Sequence, residues 1–297
     1  MKLNKKHALT RQRGRRMTQK NVFSVLILMY NNGQYLYDAI DSVLQQNYPS
    51  IEIIIADDKS KEFDRDKIQK YIVQNKSDNI KRYLIYQNQE NLGTVKNINR
   101  ALKEAGGSYI KLLAADDALY DKHVLTNAVT AFQTQKHLII TSRVMKCDGR
   151  LFPIKYFDNR FQEKLSQLTP FECYKELCIH NRIVAGGVFF SKRFFEKYGF
   201  FDENYKLLED WPKWLSVTRQ GCFIGYSKFT GAKYRSNVGC ATSTNKIYLA
   251  DKRRVFKNEI QPYSASLGAG WVMKAKIVLL IRNSLIIRKI YALFSRK

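Results

Sequence analysis

Apolar residues in the first half of the chain come in short continuous runs. Each run is followed by a polar turn and then by an amphipathic stretch. Residues 22–29 (VFSVLILM) are β-branched and aliphatic almost throughout, which suits a strand covered on both faces of a parallel sheet. YNNGQ is a turn signal, and residues 35–46 then set Leu36, Ile40, Val43 and Leu44 on one helical face. Asn47-Tyr48-Pro49-Ser50 ends that helix. The unit recurs. Strand 51–56 stops at Asp57-Asp58 and leads to helix 64–75; strand 82–86 leads to helix 93–105, closed by Gly106-Gly107. Strand 109–114 runs into Asp116-Asp117, ahead of helix 122–133 and strand 138–144.

Such alternation predicts an α/β domain with a mostly parallel central sheet flanked by helices. Ligands of these sheets bind beyond the carboxyl ends of the strands. Three strands deliver polar groups there: Tyr30-Asn31-Asn32, Asp57-Asp58 and Asp116-Asp117. No G-x-G-x-x-G follows the first strand and no G-x-x-x-x-G-K-[ST] is present, which disfavours a dinucleotide site and a P-loop. The second half is less regular. It predicts helices at 170–178, 193–198 and 209–220, a strand 184–191 carrying Gly186-Gly187, and strands 223–227 and 232–235.

Composition narrows the class. Of 297 residues, 45% are hydrophobic, and 18 Tyr and 17 Phe supply enough apolar surface to exclude a disordered chain. Charge is the outlier, at +25. Residues 1–20 carry eight basic residues and residues 271–297 carry seven, with no acid in either stretch, leaving +10 between them. The expected organisation is a basic arm (1–21), a globular body (22–240, its halves 22–118 and 119–240) and a basic helical tail (241–297). Five cysteines without a CxxC pair argue against a disulfide framework or a zinc site and for reduced thiols. Neither a signal peptide nor an apolar run of membrane-spanning length is expected. The tail, rich in basic, aromatic and aliphatic residues, suits an anionic bilayer surface; a helix packed on the body is the alternative.

Each acid pair has two readings. Asp116-Asp117 can supply hard oxygen ligands to Mg²⁺ or Mn²⁺, or can simply begin a helix. Asp57-Asp58 can accept from a nucleobase N–H, or shape a turn. Glu209-Asp210, followed by Trp211, can furnish a general base, or complement a helix dipole.

Taken in order, SVLILMYNNGQYLYDAIDSVLQQNYPSIEIIIADDKS, NLGTVKNINRAL, GSYIKLLAADDAL and GFFDENYKLLEDWPKWLSV resemble the family 2 glycosyltransferases of GT-A fold, over about residues 22–235. The resemblance implies an inverting transfer from a nucleotide-diphosphate sugar, a UDP-sugar foremost, to a saccharide or lipid-linked saccharide in surface polysaccharide assembly. It implies that Tyr30, beside Asn32, stacks on the base and that Asp58, with Asp57, bonds it. Asn91, Gly93, Lys96 and Asn97 fall at the ribose and phosphates. Asp116 matches the metal-binding acid of the D-x-D motif, and Asp117 the acid after it. Asp210 of Glu209-Asp210 matches the catalytic base, while Gly186, Gly187 and Trp211 fall at the sugar and acceptor pocket. The implied cofactor is Mg²⁺ or Mn²⁺, and the implied location is cytoplasmic, at the inner face of a membrane.

Three departures stand out. Ala114 replaces a common acid, Lys59-Ser60 replaces Gly-Ser, and Asn237 replaces a His after the Tyr234-Arg235 pair. A non-catalytic sugar-nucleotide binder therefore stays open as a reading. A nucleic-acid binder is weaker, because the excess charge gathers at the ends and no nucleic-acid motif appears.

Overall fold

A computed structural model describes residues 21–236, 238 and 245–283. The arm before Asn21, Asn237, Cys240 and the tail from residue 284 lie outside the described residues.

The sheet is built outward from β1 (Phe23–Met29), whose side chains are nearly all buried because helices cover both faces. β2 (Ile51–Asp57) and β4 (Tyr109–Ala114) flank it in parallel, and β3 (Ile80–Gln87) extends the far side. Across these ladders Met29 faces Asp57 and Leu28 faces Ala114. The turns after all three strands therefore leave the sheet at one edge. Helices α1 (Leu36–Leu44), α2 (Arg65–Asn75), α3 (Thr94–Glu104) and α4 (Val124–Gln135) connect the strands. Odd positions of β1, Phe23, Val25 and Ile27, pack with α1, α2 and α4; Leu26 packs on the other face with α3.

Beyond α4 the sheet becomes mixed. β5 (Ala118–Leu119) is a short return strand. β6 (Ile139–Cys147) carries β7 (Pro153–Tyr156) at its end. β8 (Val188–Ser191) runs antiparallel between β4 and β6, and β9 (Gly225–Arg235) runs parallel to β6. The order is β3-β2-β1-β4-β8-β6-β9-β5. Among the described residues only β5, β7 and β8 run against the common direction.

Two expectations are corrected here. Gly186 and Gly187 are not in a strand: residues 185–187 form a 3-10 turn, and β8 starts at Val188. Strands 223–227 and 232–235 are one strand with shifts in register, Ser142 facing Ser227 while Arg143 faces Thr230. The extra residues on β9 interrupt the alternating pattern, so the sequence reads as two pieces.

The second half adds α5 (Arg160–Lys164), α6 (Pro170–Ile179), α7 (Lys192–Tyr198) and α8 (Asp210–Arg219). A capping box of Thr169 and Glu172 starts α6. After α8 and β9 come α9 (Lys246–Val255), α10 (Ser264–Leu267) and α11 (Ala269–Asn283). These last helices join the core: Val255, Ile260, Leu267 and Ala275 are buried with α6 and α8. Trp271 Nε1 donates to Lys175 O at 2.7 Å, and Arg219 pairs with Glu259 at 2.5 Å. The thiols of Cys147, Cys173, Cys178 and Cys222 are free and buried. Among the described residues no helix is long and apolar enough to cross a membrane.

Candidate active site

At the carboxyl edge the three turns are tied to one another. Asn31 N donates to Ser60 Oγ at 2.8 Å, and Asn32 Nδ2 donates to Asp116 Oδ1 at 3.2 Å. Tyr30 stands exposed above this junction.

Three of the acids and amides expected at the nucleotide, Asp57, Asp58 and Asn97, are hydrogen-bonded within the loops of this edge. Asp57 is fully buried and accepts from Ser60 N (2.9 Å), Ser60 Oγ and Gln87 Nε2 (2.8 Å). Its turn places Lys59 at φ 69°, the left-handed region that favours glycine. Asp58 accepts from Asn88 Nδ2, Leu92 N and Gly93 N, each at 2.8 Å. Asn97 is consumed between Asn88 Nδ2 (2.9 Å) and Ala56 O (3.0 Å). Together they fix the loop that begins α3. Gly93 there has φ 84°, and a methyl group on it would come within 2.8 Å of Lys206 Cγ. Asn91 and Lys96 remain exposed at this helix start.

Asp116 and Asp117 sit in the β4–β5 turn, 8% and 6% exposed. Asp117 Oδ1 accepts from Arg235 N at 2.9 Å. The Arg235 guanidinium is buried and donates to Asp116 O (2.8 Å), Gly149 O and Asp38 Oδ2 (2.6 Å), over the ring of Tyr35. Burial pushes both carboxyls up, Asp117 to about 7 with a further push from Asp116. The Arg235 guanidinium and the Lys111 ammonium oppose this rise without cancelling it, so the buried hard-oxygen pair would gain from a divalent cation. No group of three His, Cys, Asp or Glu able to hold a metal occurs among the described residues. The other ligands of such an ion would come from a diphosphate and water.

The second carboxylate pair opens α8. Asp210 Oδ1 accepts from Trp211 N and Oδ2 from Asn181 Nδ2, both at 2.6 Å. Burial raises both carboxyls above the ordinary range, and the charge of Asp210 raises Glu209 further. The donors on Asp210 oppose that shift but do not cancel it. Trp211 is buried, its indole N–H donating to Leu177 O at 2.8 Å. The segment 181–186 joins the two acidic centres: Asn181 holds Asp210, and Gly186 lies against Asp117.

Three contributors escaped sequence reasoning. Asn181 carries no motif. Lys111 is fully buried and donates from Nζ to Gly186 O at 2.6 Å and Val188 O at 3.3 Å, fixing the turn beside Asp117. A lysine inside the apolar strand YIKLLA was its available signal. Asp251 of α9 accepts from the backbone N–H of Lys206 (3.0 Å), Leu207 (2.8 Å) and Leu208 (3.3 Å), holding the loop that leads into Glu209.

The sequence profile described as Glycosyl transferase family 2 matches residues 24–199. The chain belongs to this family. A glycosyltransferase of Rickettsia typhi is 27% identical over 206 residues, 68% of this chain and 60% of that protein. Thus the match spans less than two thirds of that relative. The fold is likewise that of known GT-A structures. S. aureus TarS 1–349 in complex with UDP-GlcNAc superposes with a TM-score of 0.61 at 16% identity, covering 91% of this chain and 83% of that one. A Pyrobaculum calidifontis mannosyltransferase in complex with GDP-Man and Mn²⁺ gives 0.55 at 15%, covering 94% and 81%.

Proposed function

We propose that this chain is an inverting glycosyltransferase that moves a sugar from a nucleotide-diphosphate sugar to a saccharide or lipid-linked saccharide in surface polysaccharide assembly. The observation that carries the reading is that one short segment, 181–186, reaches both carboxylate pairs, Asn181 holding Asp210 and Gly186 lying beside Asp117. Family membership supports the donor class, and the ligands of TarS and of the mannosyltransferase are donors of that class.

In this reading Tyr30 stacks on the base. Asp58, with Asp57 beside it, bonds the base, and Asn91, Gly93, Lys96 and Asn97 meet the ribose and phosphates. Asp210 takes the proton of an acceptor hydroxyl. The freed oxygen attacks the anomeric carbon opposite the leaving group, the bond to the diphosphate breaks, and its electron pair departs with the diphosphate. One displacement inverts the configuration. Lys96 offsets charge on the leaving group. Asp116 and Asp117 would hold Mg²⁺ or Mn²⁺, which when bound supplies further positive charge there. Gly186, Gly187 and Trp211 border the acceptor.

The deciding experiment is a screen of sugar nucleotides for turnover, followed by Asp210→Asn. Transfer should vanish in the variant while nucleotide affinity stays. Equal turnover in both proteins removes Asp210 from the mechanism. Isothermal titration of UDP, GDP and a random oligonucleotide, with and without Mn²⁺, tests the donor; tight oligonucleotide binding without nucleotide binding refutes the enzyme reading.

We also propose attachment at the inner face of an anionic membrane. One face of α11 packs on the domain through Ala275, Val278 and Leu279; the other exposes Met273, Ile277, Leu280 and Ile281 among Lys274 and Lys276. That arrangement suits an interfacial helix. Met273→Glu with Ile277→Glu should release the protein from phosphatidylglycerol vesicles, and undiminished sedimentation would refute the attachment.

A further inference from the structure

We propose that Asp38 is a positioning residue of the β4–β5 turn: it draws the Arg235 guanidinium away from the carboxylates of Asp116 and Asp117 and leaves their oxygens open to Mg²⁺ or Mn²⁺. The inference rests on the reading of that acid pair as the metal site. It deepens the reading by naming a residue outside the pair that sets its affinity.

The first argument is where Arg235 spends its donors. Its side chain is 2% exposed, and a cation so buried is costly unless paired and hydrogen-bonded. Two carboxylates lie in the turn it touches, yet among the described residues the guanidinium donates to neither. Nε donates to the backbone carbonyl of Asp116 at 2.8 Å, Nη1 to Gly149 O, and Nη2 to Asp38 Oδ2 at 2.6 Å. The ion pair with Asp38 is the only one Arg235 makes among the described residues. The Tyr35 ring, its centroid 4.3 Å from Cζ, covers one face of the group. Asp148, the acid next to Gly149, is engaged by the backbone N–H of Arg150 and of Phe152, both at 2.9 Å.

The second argument is what the acid pair receives instead. Asp116 Oδ1 accepts from the Asn32 amide at 3.2 Å, and Asp117 Oδ1 from the Arg235 backbone N–H at 2.9 Å. Both donors are neutral. Lys111, the other buried cation beside the pair, donates to Gly186 O and Val188 O. The two cations therefore act on the pair through space, without contact. The third argument is how Asp38 is placed. It lies in the first turn of α1, and Ser42, one turn on, accepts from Leu119 N at 3.0 Å, fixing the helix against the strand that leaves the acid turn. The Asp38 side chain is 55% exposed. It can neutralise the guanidinium while water still solvates it, so the pairing leaves the two buried carboxylates unspent. Without the Asp38 charge, the guanidinium has Asp116 and Asp117 as the acids of the turn it already touches, and their negative charge goes to it at the expense of a metal ion.

The test is titration of Mn²⁺ into the full chain, with and without UDP, with free Mn²⁺ read by electron paramagnetic resonance. Asp38→Asn keeps an oxygen for Nη2 and removes the charge. It should weaken Mn²⁺ about threefold or more at low salt. The difference should narrow as salt is raised, which a purely steric role would not produce. Asp38→Glu should restore most of the affinity. Asp41→Asn makes the same charge change one turn along α1, at a carboxylate that accepts from Tyr71 Oη at 2.7 Å, and should leave Mn²⁺ affinity unmoved. Equal Mn²⁺ affinity of wild type and Asp38→Asn overturns the proposal. An equal loss in Asp41→Asn overturns it too, by assigning the effect to net charge. Failure of wild type to bind Mn²⁺ overturns the metal reading instead, so the two failures are told apart.

Discussion

The amide of Asn181 donates to Asp210 Oδ2 at 2.6 Å, and this contact favours the charged carboxylate, partly opposing the upward push of burial. Asn181→Ala should remove that support. A hydrogen bond to a charged group contributes about 1.5–3 kcal/mol, so kcat/KM at neutral pH should fall about tenfold or more. The acid limb of the pH–rate profile should move upward. An unmoved limb would show that Asn181 does not act through Asp210.

Glu209 differs from its neighbour in expected protonation. Burial raises both carboxyls, and Glu209 also faces the charge of Asp210, so Asp210 ionises first as pH rises and Glu209 keeps its proton. Activity should therefore climb as pH passes above the ordinary carboxylate range. Glu209→Gln imitates the protonated neighbour and should retain most activity with the acid limb in place. Loss of activity as complete as in Asp210→Asn would assign the base to Glu209.

Lys111 gives a pH signature in stability. Burial pulls its pKa down to about 7, against an upward pull from Asp117. An unfolded lysine titrates near about 10.4. Between those values the unfolded chain binds more protons, so the contribution of Lys111 to stability rises with pH. Urea unfolding of wild type and Lys111→Met at pH 7 and 9.5 should show the difference shifting in favour of wild type. A constant difference would place the ammonium in contact with water.

Lys59 occupies a left-handed backbone conformation at φ 69°. A side chain there costs about 1–2 kcal/mol, of which glycine's greater freedom in the unfolded chain returns part. Lys59→Gly should raise the stability by about 1 kcal/mol, read from the urea midpoint. A lower midpoint would mean that the lysine side chain supports the turn.

The first half of the chain was legible because its signals are local. Strands buried on both faces are continuous apolar runs, so β1, β2 and β4 could be read directly, and the acids after them had to share one edge once the strands were parallel. β7 could not be read, because its four residues are all exposed and leave no apolar pattern. The 3-10 turn at 185–187 owes its shape to Lys111, whose contacts with it span 75 residues or more of sequence. Asn181 and Asp251 are invisible for the same reason: a single polar residue acquires its role only from the distant backbone or carboxylate it meets. Asp57 and Asp58 were conspicuous, yet the structure engages both in holding loops, an outcome that spacing alone does not separate from ligand contact.

The grip of Asp251 on three consecutive amides has a consequence for how this enzyme family can be recombined. α9 supplies the acceptor for the loop that delivers Glu209 and Asp210, while Arg219 leans on Glu259 from the same segment. A chimaera that exchanges the carboxyl-terminal helices with those of a relative therefore exchanges half of a matched pair. It should keep the loop before Glu209 in place only when residues 199–208 travel with them.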